Sequence, residues 1–438
     1  MKTKSIIVTS TSLLLLASTQ SALATTGYFS LGYGPKSTAM AGAVVAAPQD
    51  ATIAAVNPAG ISEVGERADL SLMLFSPIRE ASLDPSAVVP GSSKVRQKSS
   101  RDFFVIPTGG ISSKINDKLS WGLSVYGNGG MNTTYSRNIY DETFAVLNSG
   151  GAATSTGLAD TGELMIDLGQ AIFAPTLSYK LTENHSFGIS ALLAVQYFKA
   201  KGLGDFQGFT QAGSGTDLTD NGYDFSYGAG VRVGWLGKIH PKVTLGIAGS
   251  SPIYMTEFHK YSDLFAEQGG FDIPANFTAG IAFRPVNDLL MSFDFQRIFY
   301  GGVNAIANNG PALGPSIPPG QGPLGAKNGL GFGWNDINVY RLGLKYQYNS
   351  NWSVSAGYSW NDRPFEADQL LFNIISPAVN TKHATFGISY SADKDSEWNL
   401  SYQHAFKETM STNQSAFGVP GSVSMYQNAV EIGYSWKF

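Results

Sequence analysis

The sequence contains no cysteine in 438 residues. Disulfide frameworks, thiolate metal sites and thiol nucleophiles are therefore ruled out. Charge is scarce too: Asp, Glu, Lys and Arg make up 14% of the chain, against roughly 25% in soluble proteins. The formal net charge of −4, with no basic cluster, argues against a nucleic-acid partner. Long apolar runs are also missing. The longest, such as residues 13–17, are five residues, far short of the ~20 needed for a membrane-spanning helix. Enzyme signatures are equally thin. Two of the five histidines lie in polar turns and none forms a close metal-ligand pair. No G-x-S-x-G elbow or phosphate-binding loop occurs. No catalytic residue, metal or cofactor is expected.

What the chain does have is glycine, 50 residues of it, with 20 Tyr and 26 Phe. The first 24 residues carry Lys2 and Lys4, a short apolar core and Ala22-Leu23-Ala24. This is the pattern of a secretory signal cleaved after an A-x-A site. Residues 27–67 follow, rich in Gly and Ala and centred on Asn57-Pro58-Ala59.

From there the sequence alternates with period two. In 186–197, Phe187, Ile189, Ala191, Leu193, Val195 and Tyr197 share one face, against Ser186, Gly188, Ser190 and Gln196, with Leu192 and Ala194 as exceptions. In 426–438, Tyr426, Val430, Ile432, Tyr434, Trp436 and Phe438 share a face. Aliphatic residues sit mid-segment and aromatics near the ends, as in the lipid-facing band and girdle of a membrane barrel. Six short polar turns, at 116–118, 182–185, 240–242, 287–288, 349–351 and 392–397, alternate with seven longer loops near 81–99, 131–168, 203–221, 259–272, 301–335, 364–379 and 411–423. That count predicts an all-β fold: a 14-stranded antiparallel transmembrane β-barrel, with both chain ends on the short-turn side. The expected division is a signal peptide at 1–24, an N-terminal hatch filling the lumen at 25–66, and the barrel at 67–438. A soluble sandwich would leave strands this aromatic as large apolar patches in water.

Two loops are unusually apolar. One carries Phe144, Leu147, Leu164, Met165, Ile166 and Leu168; the other carries Phe258, Tyr261, Leu264, Phe265 and Phe271. Apolar loop residues suit capture of a hydrophobic ligand, or packing of the loops as a cap. The loop at 301–333, rich in Gly, Pro and Asn, gives no indication of a ligand. By parity Arg232, Arg341 and Lys345 point into the lumen. There they pair with a ligand carboxylate or with the hatch and other wall residues. Pro58 fixes φ and Asn57 can bond nearby backbone, so Asn57-Pro58-Ala59 reads as a rigid turn.

These features resemble the FadL/TodX family of outer-membrane transporters. The matching residues are Gly27-Tyr28, Met40-Ala41-Gly42, Asp50-Ala51 and Asn57-Pro58-Ala59. Trp121-Gly122 follows, then Trp334-Asn335-Asp336 with Tyr340, Gly343 and Tyr346, then Trp352 and Ala356-Gly357-Tyr358. The terminal Phe438 resembles the ending that the barrel assembly machinery recognises. The resemblance implies a monomeric barrel in the Gram-negative outer membrane, in contact with membrane lipid and lipopolysaccharide. It also implies a hatch gate formed by Gly27, Tyr28, Phe29, Asn57, Pro58 and Ala59. A kink at Asn128, Gly129 and Gly130 would open the wall laterally, with Asn57-Pro58-Ala59 meeting the wall near it. The expected partner is a hydrophobic small molecule, long-chain fatty acids foremost. Neutral hydrocarbons (monoaromatics, alkanes, terpenes) are the alternative on the same route. A general diffusion porin and an outer-membrane lipase or esterase are more remote readings.

Overall fold

The computed structural model describes residues 26–149, 162–211, 215–311, 317, 319–415 and 418–438. The signal peptide expected at 1–24 lies outside them. Sixteen strands follow in chain order: β1 Arg67–Leu83, β2 Val95–Lys98, β3 Phe104–Lys114, β4 Leu119–Tyr135, β5 Leu164–Thr182, β6 His185–Lys201, β7 Asp224–His240 and β8 Val243–Ser250. Then come β9 Tyr254–Met255, β10 Asn276–Phe283, β11 Leu289–Ile298, β12 Ile337–Gln347, β13 Trp352–Asn361, β14 Lys382–Ser391, β15 Ser396–Thr412 and β16 Gly421–Lys437. Two of these, β2 and β9, are short pairings above the wall. The other fourteen form one antiparallel sheet in sequential order, and β1 pairs with β16 from Arg67↔Lys437 to Leu83↔Gly421. That pairing closes the sheet into a barrel.

The period-two pattern becomes the two faces of the wall. Leu70, Leu72 and Leu74 of β1, Phe187, Ile189 and Leu193 of β6, and Leu400 and Tyr402 of β15 all point outward and are exposed. Near the short turns the outward aromatics pair up, with ring centroids 4.6 Å apart for Trp352–Tyr390 and 4.7 Å for Trp398–Tyr434. This is the girdle expected where lipid meets water. Six tight turns sit at this end. The long connections sit at the other, and one carries the ten-residue helix Ile139–Asn148.

Residues 26–66 run inside the barrel as the hatch. Only short helical turns interrupt it, and nearly every residue is buried. It fits because inward-facing wall positions are glycine where it touches. A Cβ at Gly188 would lie 2.3 Å from the Pro58 carbonyl carbon, and one at Gly234 2.1 Å from Asn57 Oδ1. Gly246 meets Val45 O at 2.2 Å, Gly357 meets Met40 C at 2.5 Å and Gly387 meets Ala39 Cβ at 2.4 Å. Any side chain there would overlap the hatch, its backbone at Gly188, Gly246 and Gly357 and its side chains at Gly234 and Gly387, and overpacking of this kind costs about 1–3 kcal/mol per site.

Gly188→Val and Gly234→Val should therefore unseat the hatch without preventing barrel closure. In planar bilayers both variants are expected to conduct ions well above the wild-type level while keeping the heat-modifiable gel mobility of a folded barrel.

Candidate functional site

The wall is interrupted on one side of β4. Pairing between β3 and β4 runs from Lys114↔Ser120 to Thr108↔Tyr126 and stops. On its other side β4 pairs with β5 along its whole length, from Leu119↔Tyr179 to Tyr135↔Leu164. Residues 127–135 of β4 thus lack a β3 partner. Asn128 is an extra residue between Gly127 and Gly129, which pair with Ala171 and Gln170. A bulge of this kind bends the strand, so the wall opens just above Tyr126.

The hatch N-terminus covers this edge from inside. Phe29 forms an antiparallel bridge with Gly129. Gly130 N donates to Tyr28 O at 3.2 Å, Ser30 N to Asn128 O at 3.1 Å, and Ser30 Oγ to Gly127 O at 3.2 Å. A Cβ on Gly129 would lie 1.9 Å from Tyr28 O, so glycine is required there for the hatch to reach the edge. Gly27 has φ of +69° and lies against Tyr300. Tyr28 N donates to the Tyr300 hydroxyl at 3.1 Å, and that hydroxyl donates to Thr26 O at 2.8 Å.

From Lys36 onward the hatch is held by charged groups. Lys36 pairs with Glu397 at 3.1 Å, and Thr38 Oγ1 donates to Glu431 at 2.8 Å. Val45 N donates to Asp294 and Ala51 N to Asp69, each at 2.8 Å. Hydrogen bonds to charged groups contribute about 1.5–3 kcal/mol, against ~0.5–1.5 kcal/mol for neutral ones. Among the described residues, 27–33 are held by hydrogen bonds to neutral groups and by ring contacts, so they form the most easily displaced part.

The three lumen cations belong to this anchoring. Arg232 donates to Ala54 O, Ala55 O and the Tyr126 hydroxyl, and its Nε to Ser250 Oγ. Arg341 donates to Gln296 and packs against Gly42, and Lys345 Nζ donates to Gln49 Oε1 at 3.0 Å. All three touch the hatch.

Asn57-Pro58-Ala59 forms the expected rigid turn. Asn57 is extended and caps the turn by accepting from Ala59 N at 3.1 Å. Its position differs from expectation. Asn57 Nδ2 donates to Trp235 O on β7, and Ala59 O accepts from Ser178 on β5 and Ser186 on β6. The turn docks on β5–β7 rather than at the β4 kink, because Gly188 and Gly234 leave room there. The segment that meets the kink is 28–30.

Above the gap lies an apolar core shared by the wall and the long loops. Leu164, Met165, Ile166 and Leu168, expected in a loop, begin β5, since β4 and β5 extend beyond the membrane band. Ile166 faces the core, as do Leu164 and Leu168. Phe144 and Leu147 lie on the helix Ile139–Asn148 and pack against the same core. Phe258, Tyr261, Phe265 and Phe271 are buried in it, with Leu264 at its edge. Inside is a cleft lined by Tyr140, Ile166, Phe198, Phe206, Phe265 and Phe372, among others, with no charged residue among the described ones. Its volume is about 30 Å³, room for one water, whereas a cavity of ~150 Å³ accommodates benzene. The cleft is closed, and the loops must part to admit a ligand.

Ring contacts link this cleft to the gap. Phe198 and Phe265 are 4.7 Å apart, Phe265 and Phe271 4.9 Å, and Phe271 and Tyr28 6.3 Å. Sequence reasoning missed Phe198, Phe206, Phe372, Tyr300 and Trp334. The exceptions Leu192 and Ala194 were the available signal, because they place apolar residues on the lumen face just before Phe198. The loop at 301–333, given no role from sequence, supplies Ala305, Leu324, Leu330 and Phe332 to the cleft.

The chain matches a family model described as "Outer membrane protein transport protein (OMPP1/FadL/TodX)" over residues 15–435. It belongs to the OMPP1/FadL/TodX family. Members are transport proteins rather than enzymes, and the chain is an outer-membrane β-barrel of Gram-negative bacteria. Among solved FadL/TodX structures, the Pseudomonas putida toluene transporter TodX is similar, at 20% identity and TM-score 0.66 over 93% of this chain and 99% of that one. A Pseudomonas aeruginosa FadL homologue aligns at 14% identity and TM-score 0.66 over 94% and 100%. The Ralstonia pickettii toluene transporter TbuX aligns at 19% and 0.62 over 93% and 99%. No curated protein matches in sequence.

The cleft's cover carries a close pair of carboxyl groups. Burial first, then a hydrogen bond to Asp205 and its charge, push the Asp141 carboxyl up to about 7. Asp141 is on the helix, and Asp205 is on the turn Gly204–Phe209, where Phe206 packs edge-on against Tyr140. The packed cover binds a proton that the free carboxyl releases near 3.8. Its stability therefore falls as pH rises from about 4 to about 7 and stays low above that. Hydrogen-exchange protection of 139–148, corrected for intrinsic rates, should be several-fold lower at pH 8 than at pH 5. Asp205→Asn should flatten the difference.

Proposed function

We propose that this chain takes up hydrophobic compounds across the outer membrane, with neutral monoaromatic-sized molecules as its main substrates. The ligand is captured in the cleft under the outer loops. It moves along Phe198, Phe265 and Phe271 to Tyr28, then leaves sideways through the gap above Tyr126. The observation that carries this reading is the unpaired edge of β4, where residues 127–130 are met by neutral bonds from hatch residues 28–30, while Arg79, Ser99 and Ser100 bond the edge farther out at Asn132 and Thr134. Residues 128–130 are then the outlet and 27–29 the movable gate, while Asn57-Pro58-Ala59 holds the rest of the hatch in place.

Two features favour a neutral ligand over the fatty acid suggested by the sequence. The cleft offers no cation to a carboxylate, and Arg232, Arg341 and Lys345 are occupied by the hatch and its neighbours. Two of the similar structures are described as toluene transporters. Burying ~200 Å² of an aromatic ring contributes about 5 kcal/mol at most. That corresponds to sub-millimolar affinity, weak enough for release into lipid.

Gly129→Val and Gly130→Val test the route. They should leave a folded barrel, with toluene uptake by whole cells reduced at least tenfold. Normal uptake through these variants would sink the lateral route. In the wild type, toluene should also quench tryptophan fluorescence through Trp334 at concentrations where oleate does not.

A further inference from the structure

The hatch does not fill the barrel completely at the short-turn end. Beneath it, between the hatch and the ends of β7, β8, β10 and β11, lies an open cavity of about 560 Å³. That is within the usual ~300–1,000 Å³ of small-molecule sites. Its floor is apolar. Ala46 and Ala47 of the hatch pack there with Ala282 and Leu290, and Leu236 is also buried at the floor. Its mouth is cationic, with Lys238, Lys242 and Arg284 against a single carboxylate, Glu63.

Glu63 is already engaged, accepting from Lys238 at 2.5 Å and pairing with Lys180 at 3.4 Å. Lys242 Nζ donates to the Pro285 carbonyl, a partner that leaves its charge uncompensated. The Arg284 side chain is exposed at the mouth and has no hydrogen-bond or ion-pair partner among the described residues.

An apolar floor beneath two uncompensated cations suits one ligand chemistry. We propose that this cavity is a second binding site, facing the periplasm, for an amphipathic carboxylate with a small apolar body. The carboxylate sits in the fork of Arg284, with Lys242 beside it. The apolar body lies on Ala46, Ala47, Ala282 and Leu290. The hatch separates this site from the loop cleft, so it serves a different chemical class and does not depend on the lateral route.

The probe is 4-phenylbutyrate, titrated by calorimetry against the full-length protein in nanodiscs at pH 7.5, with empty nanodiscs as blank. Saturable binding is expected that neither toluene nor 4-phenyl-1-butanol displaces. The double variant Lys242→Ala/Arg284→Ala should weaken it at least tenfold. Lys242→Glu/Arg284→Glu should reverse the preference, binding 4-phenylbutylamine in place of the acid. Toluene uptake should remain at the wild-type level in both double variants, which separates this site from the loop cleft. Unchanged 4-phenylbutyrate binding in the alanine double variant would overturn the proposal. So would displacement by toluene, which would place the ligand in the cleft, or failure of the glutamate variant to bind the amine.

Discussion

Contact between hatch backbone and wall backbone is the constraint on which this structure depends. A fourteen-stranded barrel has a lumen that must be filled or left open to water. Here it is filled by a chain with little regular structure, whose polar groups need partners inside the barrel. Inward glycines on β6, β7, β8, β13 and β14 bring the two backbones together, and wall side chains such as Asp69, Arg232 and Asp294 complete the hydrogen bonding. The high glycine content is thus a property of the wall–hatch interface as much as of the loops.

That seating is uneven, and the unevenness matters for transport. The hatch body is tied by ion pairs and charge-assisted bonds around the lumen. Its first residues are tied by neutral bonds to an unpaired strand edge and to Tyr300, and by tilted and edge-on ring contacts. A local opening at 27–33 breaks few strong interactions, whereas expelling the whole hatch breaks many. The geometry therefore favours a small movement beside the wall over clearance of the lumen. An outlet in the wall suits an apolar solute, because the bilayer is a better solvent for it than a water-filled pore.

Much of this was legible in the sequence because membrane barrels write their architecture in period two. The strand number, the six tight turns and the side on which the ends lie all follow from alternation and turn chemistry. The glycine cluster at 127–130 stands out in the sequence itself, and its reading as a kink came from the family resemblance. Strand lengths were less legible. Leu164–Leu168 read as loop because β4 and β5 rise beyond the membrane, where both faces are covered and the alternation fades. The docking place of Asn57-Pro58-Ala59 was hidden as well. It depends on which wall glycines face the turn, and that is a matter of register around the lumen rather than local pattern. The ring path from Phe198 to Tyr28 joins residues from β6, one loop and the hatch, so no window of sequence contains it.

The proposed path runs from the loop cleft past Tyr28 to the wall gap with the hatch body in place. The most direct measurement is anomalous diffraction from crystals soaked in iodobenzene. Iodine density is expected in the cleft beside Phe198 and Phe265 and at the gap beside Gly129, with the Lys36–Glu397 and Asn57–Trp235 contacts intact. Iodine density running between hatch and wall toward Lys345, or a hatch displaced as a whole, would contradict it.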